Sequence, residues 1–306
     1  MLAFVCSLLI VASSCEQLGL NGGAETAFSG EAALRYAQAQ VDFGPRVPGT
    51  EAHRLAGDWI EQQMRERADT VMVQAWTHVT YGGDSLPMRN VLARIRPELQ
   101  QRVLYVTHWD TRPVAENSEN RDDRDDPILG ANDGASGVGV LVALADALMQ
   151  TPPQFGVDLL FVDGEDYGEF PDRDVLIGSR YFASHLPSED YRPLFGVVWD
   201  MVGAEGATFH QESYSVQGAP EVVTRVWQTA ASLGYSRYFP QRVGGAVTDD
   251  HLPLLEAGLR VIDVIDIAAT GAIRYPHHHR LSDTMDKLSV GTLQAVGDVA
   301  TSLVTP

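Results

Sequence analysis

Residues 103–110 read Val103-Leu104-Tyr105-Val106-Thr107-His108-Trp109-Asp110, and the fold turns on how this stretch is read. Four apolar residues in a row, rich in β-branched and aromatic side chains, suit a short strand buried on both faces. The run ends abruptly in His108 and Asp110, two residues apart, so on an extended chain both side chains point the same way. Such an imidazole can bind a metal while a carboxylate one strand step away fixes its ring.

The same arrangement recurs on either side. Glycine-bracketed Asp133 in Gly130-Ala131-Asn132-Asp133-Gly134 opens an apolar helix over Ala135–Met149. The run Val157–Val162 is a second buried strand and ends in Asp163-Gly164-Glu165-Asp166, whose adjacent carboxylates Glu165 and Asp166 are expected to point apart. Phe195–Trp199 ends in Asp200, and Leu259–Ile265 leads into Tyr275-Pro276-His277-His278-His279. Further strands are expected over Val71–Val79 and Met88–Ile95. Helical spacing of apolar residues marks 31–43, 50–67, 177–185, 220–233 and a last helix from Val290. This alternation predicts one α/β domain over residues 31–306: a three-layer sandwich with a mixed, largely parallel central sheet and helices on both faces.

Composition removes most chemistries. The 306 residues carry 22 basic against 41 acidic side chains, a net charge of −19. A surface this acidic repels phosphate backbones, so nucleic acid is not an expected partner. Lys287 is the one lysine and is followed by leucine, which excludes a phosphate-binding Gly-Lys-Ser/Thr loop. The two cysteines, Cys6 and Cys15, leave the body without thiols, so cysteine nucleophiles, thiolate metal sites and a disulfide framework are absent there. Ser136 lacks the glycine spacing of a nucleophile elbow, and Gly137-Val138-Gly139 lacks the third glycine of a dinucleotide fingerprint. The acidic run at 122–126 reads as a solvated loop. A lone strand-end aspartate is commonly a helix or turn cap. Carboxylates and histidines at successive strand ends are another matter, because open α/β sheets build their sites along that rim. Nitrogen and oxygen donors without sulfur suit a catalytic zinc.

Residues 1–15 read as a lipoprotein-type signal: the apolar run from Leu2 to Ala12 passes through small residues to Cys15. The expected product is an exported periplasmic or cell-envelope lipoprotein, attached to a membrane through lipidated Cys15, with residues 16–30 as a tether.

Taken in order, His108-Trp109-Asp110, Gly130–Gly137, Asp163–Asp166, Gly178-Ser179-Arg180, Asp200-Met201-Val202-Gly203, Thr248–Pro253 and His279 through Thr284 resemble the M28 zinc metallopeptidase family. Within it the likeness is to glutaminyl-peptide cyclotransferases, over roughly residues 40–290. The resemblance implies one zinc held by Asp133, Asp166 and His279, with Glu165 as general acid/base and Asp200 and Asp249 as an active-site pair. In the two-metal aminopeptidases of the family a second zinc is held by His108 and Asp200, with Asp133 bridging and Asp110 supporting His108. The implied substrate is the N-terminus of a peptide or protein. Its N-terminal glutamine is cyclised to pyroglutamate with loss of ammonia; alternatively, its first peptide bond is hydrolysed. A reading of another class is a tethered binding protein on an inactive enzyme scaffold. The chain departs from the animal cyclases in having His278 where they carry tryptophan, Asp166 where they carry glutamate, and Asp263 where they carry histidine.

Overall fold

The computed structural model describes residues 26–169 and 173–306. The signal and lipidation expectations, with Cys15, fall outside these residues. Among the described residues no helix is long and apolar enough to cross a membrane.

The expected strands and helices form. The strands are β1 (Thr70–Val79), β2 (Ser85–Ile95), β3 (Arg102–His108), β4 (Gly156–Val162), β5 (Phe195–Trp199) and β6 (Val261–Val264). They make one sheet in the order β1-β2-β4-β3-β5-β6. Strands β4, β3, β5 and β6 run parallel; β2 is antiparallel to β4, and β1 to β2. The helices are α1 (Gly30–Val41), α2 (Glu51–Arg65), α3 (Ala135–Gln150), α4 (Ile177–Ser184), α5 (Ser213–Gly218), α6 (Pro220–Ser232), α7 (His251–Glu256) and α8 (Val290–Ser302).

Strand alternation sorts the core into two layers. Val103, Tyr105, Leu159, Phe161, Val197 and Trp199 face α1, α3, α6 and α8. Leu104, Val106, Leu160, Val162 and Val198 face the other way, onto Phe182 of α4 and Leu254 of α7. Both faces of the parallel strands are therefore dry, which is why these segments read as predominantly apolar runs, interrupted by buried Asp158 in β4 and Asp263 in β6, rather than alternating ones.

The chain leaves β3 through α3 to β4 on one side, then passes through α4 to β5 on the other. That reversal opens a crevice at the carboxyl end of β3, where α/β folds place their sites.

Residues 26–30, expected as part of a tether, pack against the domain. Phe28 is only 5% exposed, and its ring fills the space that Gly297 leaves in α8, where a Cβ would approach it to 2.0 Å. Gly30 N–H donates to Gln294 Oε1 (2.7 Å), Gln294 Nε2 donates to Phe28 O (3.1 Å), and the Thr26 hydroxyl bonds Asp298. Residues 26–30 belong to the domain because an aromatic side chain and its flanking polar groups are all satisfied there.

Candidate active site

His108, the last residue of β3, is buried. Its Nε2 lies 3.1 Å from Asp200 Oδ1 and 3.2 Å from Asp133 Oδ1, and its Nδ1 lies 3.5 Å from Asp110 Oδ1. Asp110 stands beside the imidazole as expected and also ties the next strand end: its two oxygens accept the backbone N–H groups of Glu165 (3.0 Å) and Asp166 (3.2 Å). One carboxylate thus couples the ends of β3 and β4.

Glu165 and Asp166 do not point apart. The chain stops being extended at Gly164, which takes φ +66°; strand alternation no longer applies, and both carboxylates line one cavity. Asp163 turns away instead, to His53 Nε2 (2.8 Å) and the N–H of Arg89 (2.8 Å). Asp166 Oδ1 receives Arg112 Nη1 (3.1 Å) and lies 3.2 Å from His279 Nε2. The other imidazole nitrogen, His279 Nδ1, lies 2.8 Å from Glu116 Oε1, and Glu116 is itself gripped by Arg112 Nε at 2.7 and 2.9 Å. His279 Nε2 is 3.9 Å from Asp133 Oδ2. Asp133 is set from behind by Asp283, which accepts the N–H groups of Asn132 (2.9 Å) and Asp133 (3.2 Å).

The resulting cavity, of about 540 Å³, gathers Asp133, Glu165, Asp166, Asp200, Asp249, His278 and His279. His108 and Asp110 form the wall behind it. Every residue expected at the site is therefore brought to one place. His277 is not in the lining; its Nδ1 lies 2.8 Å from Ser282 Oγ. Arg112 and Glu116 escape sequence reading because they lie in the irregular stretch between β3 and α3, with no strand end to mark them. Their spacing of four is the one available signal. Asp263, in the middle of β6, is fully buried beside Asp249, and His251 sits behind it, 3.3 Å from Glu212 Oε2.

Burial and mutual repulsion govern the protonation of these groups. Burial, reinforced by Asp166, Asp249 and Asp250, pushes Glu165 well above the usual carboxylate range. Burial and the neighbouring Asp200 raise Asp249 to about 7. Burial would lower His279, but Asp166, Glu116 and Asp133 outweigh it and raise the imidazole to about 10. His278 is lowered to about 4 by burial and by His279. Burial would raise Asp133, yet His108 and His279 hold it well below its ordinary value.

A zinc ion fits this environment. Asp133 Oδ2 and Asp166 Oδ2 are buried without hydrogen-bond partners, an expensive state that a divalent cation relieves. Two tight groups of donor atoms occur among the described residues: Asp133 with His278 and His279, and His108 with Asp133 and Asp200. Asp133 belongs to both, offering one oxygen to each side. His279 is held by Glu116, and Asp166 by Arg112, the kind of supporting bond that zinc ligands carry.

Fold and site together define a metal-dependent α/β enzyme. The family model of Peptidase family M28 matches residues 90–304, more than half of the chain, and the chain belongs to that family of zinc-dependent enzymes. The crystal structure of Porphyromonas gingivalis glutaminyl cyclase is 40% identical, with a TM-score of 0.87, covering 91% of this chain and 98% of that one. A Zn-dependent exopeptidase from Parabacteroides distasonis is 33% identical, with a TM-score of 0.86 and coverage of 90% and 97%. Glutaminyl-peptide cyclotransferase of Drosophila melanogaster is 27% identical over an alignment of 251 residues that covers 73% of this chain and 67% of that protein.

Proposed function

We propose that this enzyme is a glutaminyl-peptide cyclotransferase, closing the N-terminal glutamine of peptides to pyroglutamate with release of ammonia. The observation that carries the reading is that Glu165, Asp200 and Asp249 line the same cavity as Asp133, Asp166 and His279. Likeness to the bacterial glutaminyl cyclase supports it. Zinc held by Asp133, Asp166 and His279 would supply a Lewis acid for a substrate carbonyl oxygen. The remaining work falls to the chain. Asp200 and Asp249 accept hydrogen bonds from the substrate's terminal amine, while burial and the charge of Asp200 raise Asp249 to about 7. Glu165, with its raised proton affinity, takes the proton of the attacking α-amine and delivers it to the departing side-chain nitrogen. A bond forms from the α-nitrogen to the side-chain amide carbon Cδ, the Cδ–Nε2 bond breaks, and ammonia leaves. Arg112 and Glu116 keep Asp166 and His279 in register throughout.

The second reading is hydrolysis of the first peptide bond by an aminopeptidase. The buried group His108, Asp133 and Asp200 favours it, because it could hold a second ion beside the first. A peptide beginning with glutamine separates the two. Ammonia released with the peptide bonds intact supports the cyclase, whereas a free amino acid with no ammonia replaces it with the peptidase.

A further inference from the structure

The turn Tyr275–Arg280 carries three successive histidines with different surroundings. His277 turns to Ser282. His278 and His279 both line the cavity. Adjacent side chains on an extended chain would diverge, but His279 has φ +52°. A non-glycine residue in this left-handed region is disfavoured by about 1–2 kcal/mol and persists where its surroundings require it. Here the two imidazoles stack, with ring centroids 3.6 Å apart and planes inclined by 30°.

The backbone of His278 is tied at both ends, its N–H to Tyr275 O and its carbonyl to Asn117 Nδ2, each at 3.3 Å. Its ring has no hydrogen-bond partner among the described residues. Yet donor atoms of His278, His279 and Asp133 all lie within 4.8 Å of one another. An aromatic ring wanted only for stacking needs no nitrogen there, and neutral imidazole is a good zinc donor.

We propose that His278 is an additional, exchangeable ligand of the zinc centre, an inference that rests on the zinc reading of Asp133 and His279 above. One nitrogen of each ring lies within 4.8 Å of the other and of a carboxylate oxygen of Asp133. His278 therefore reaches the ion by turning about its side-chain bonds into the open cavity, and it turns back when a substrate group takes its place. The fixed backbone makes this a side-chain motion alone.

Zinc retention by the holoenzyme, measured in competition with a chelator, tests this directly. The variants are His278→Phe, which keeps a ring for the stack without a nitrogen, His278→Ala, and His277→Ala as the neighbouring control. Loss of a ligand or its support weakens metal binding by about 10–100-fold. The expected result is at least tenfold weaker retention in both His278 variants, retention like the native protein in His277→Ala, and an altered visible spectrum for cobalt in His278→Phe. Native-like retention in His278→Phe overturns the proposal, even where His278→Ala loses metal, because stacking alone would then be the role. Native-like retention in His278→Ala overturns it too, should the phenylalanine variant not fold. A native protein that takes up no zinc removes the metal reading itself, a result distinguishable from both.

Discussion

Glu165 owes its proposed role to burial: a carboxyl 7% exposed among three other acids keeps its proton far above the usual range. Glu165→Gln preserves the shape and removes the transferable proton. The expected outcome is a fall in kcat of about 10²–10⁴-fold with zinc content unchanged, checked by turnover and metal analysis on one preparation; native turnover would remove Glu165 from the chemistry. Residues of this kind were legible in the sequence because strand ends expose them: Asp133, Glu165, Asp166, Asp200 and His279 each follow or precede a readable element. The directions of Glu165 and Asp166 were not legible, because the turn at Gly164 breaks the alternation on which such a reading depends. Nor were Arg112 and Glu116, whose meaning exists only once His279 arrives from more than 150 residues away.

Among the elements, α3 does most to set the rim. It is buried along nearly its whole length, and Gly137 in its first turn lets it press against the ends of β3 and β5. A Cβ there would lie 2.1 Å from Thr107 Oγ1 and 2.4 Å from Trp199 O. Gly137→Ala is therefore expected to cost about 1–3 kcal/mol through overpacking, read as a lower urea midpoint; an unchanged midpoint would show that the contact is not tight. Long periodic helices and buried strands were readable because burial stamps its period on them. Helices α5 and α7, six residues each, were not, since less than two turns leaves too few apolar positions to show a period. The sheet order was also out of reach, being set by crossovers that local patterns do not record.

For the molecule as a whole, the −19 net charge and the acidic pocket make cation binding and protonation two sides of one equilibrium. Without a metal, Asp166, Glu116 and Asp133 push His279 up to about 10, so at neutral pH zinc must displace its proton. Zinc affinity should rise with pH between 6 and 8, with proton release on binding, as competition titrations at several pH values can show; a flat profile would mean that His279 does not ligate. The linked stability has a definite sign. The folded-state value lies above the unfolded imidazole value of about 6.5. This contribution is therefore complete below pH 6.5 and is lost as pH rises through about 10. Thermal unfolding of the metal-free chain should show that alkaline loss, and zinc should suppress it.

The most direct measurement is anomalous diffraction at the zinc edge from crystals of the zinc-loaded protein. A peak is expected between Asp133, Asp166 and His279, within about 2.0–2.2 Å of a donor atom of each. Zinc bound elsewhere, or no zinc peak within reach of these three side chains, would contradict the account.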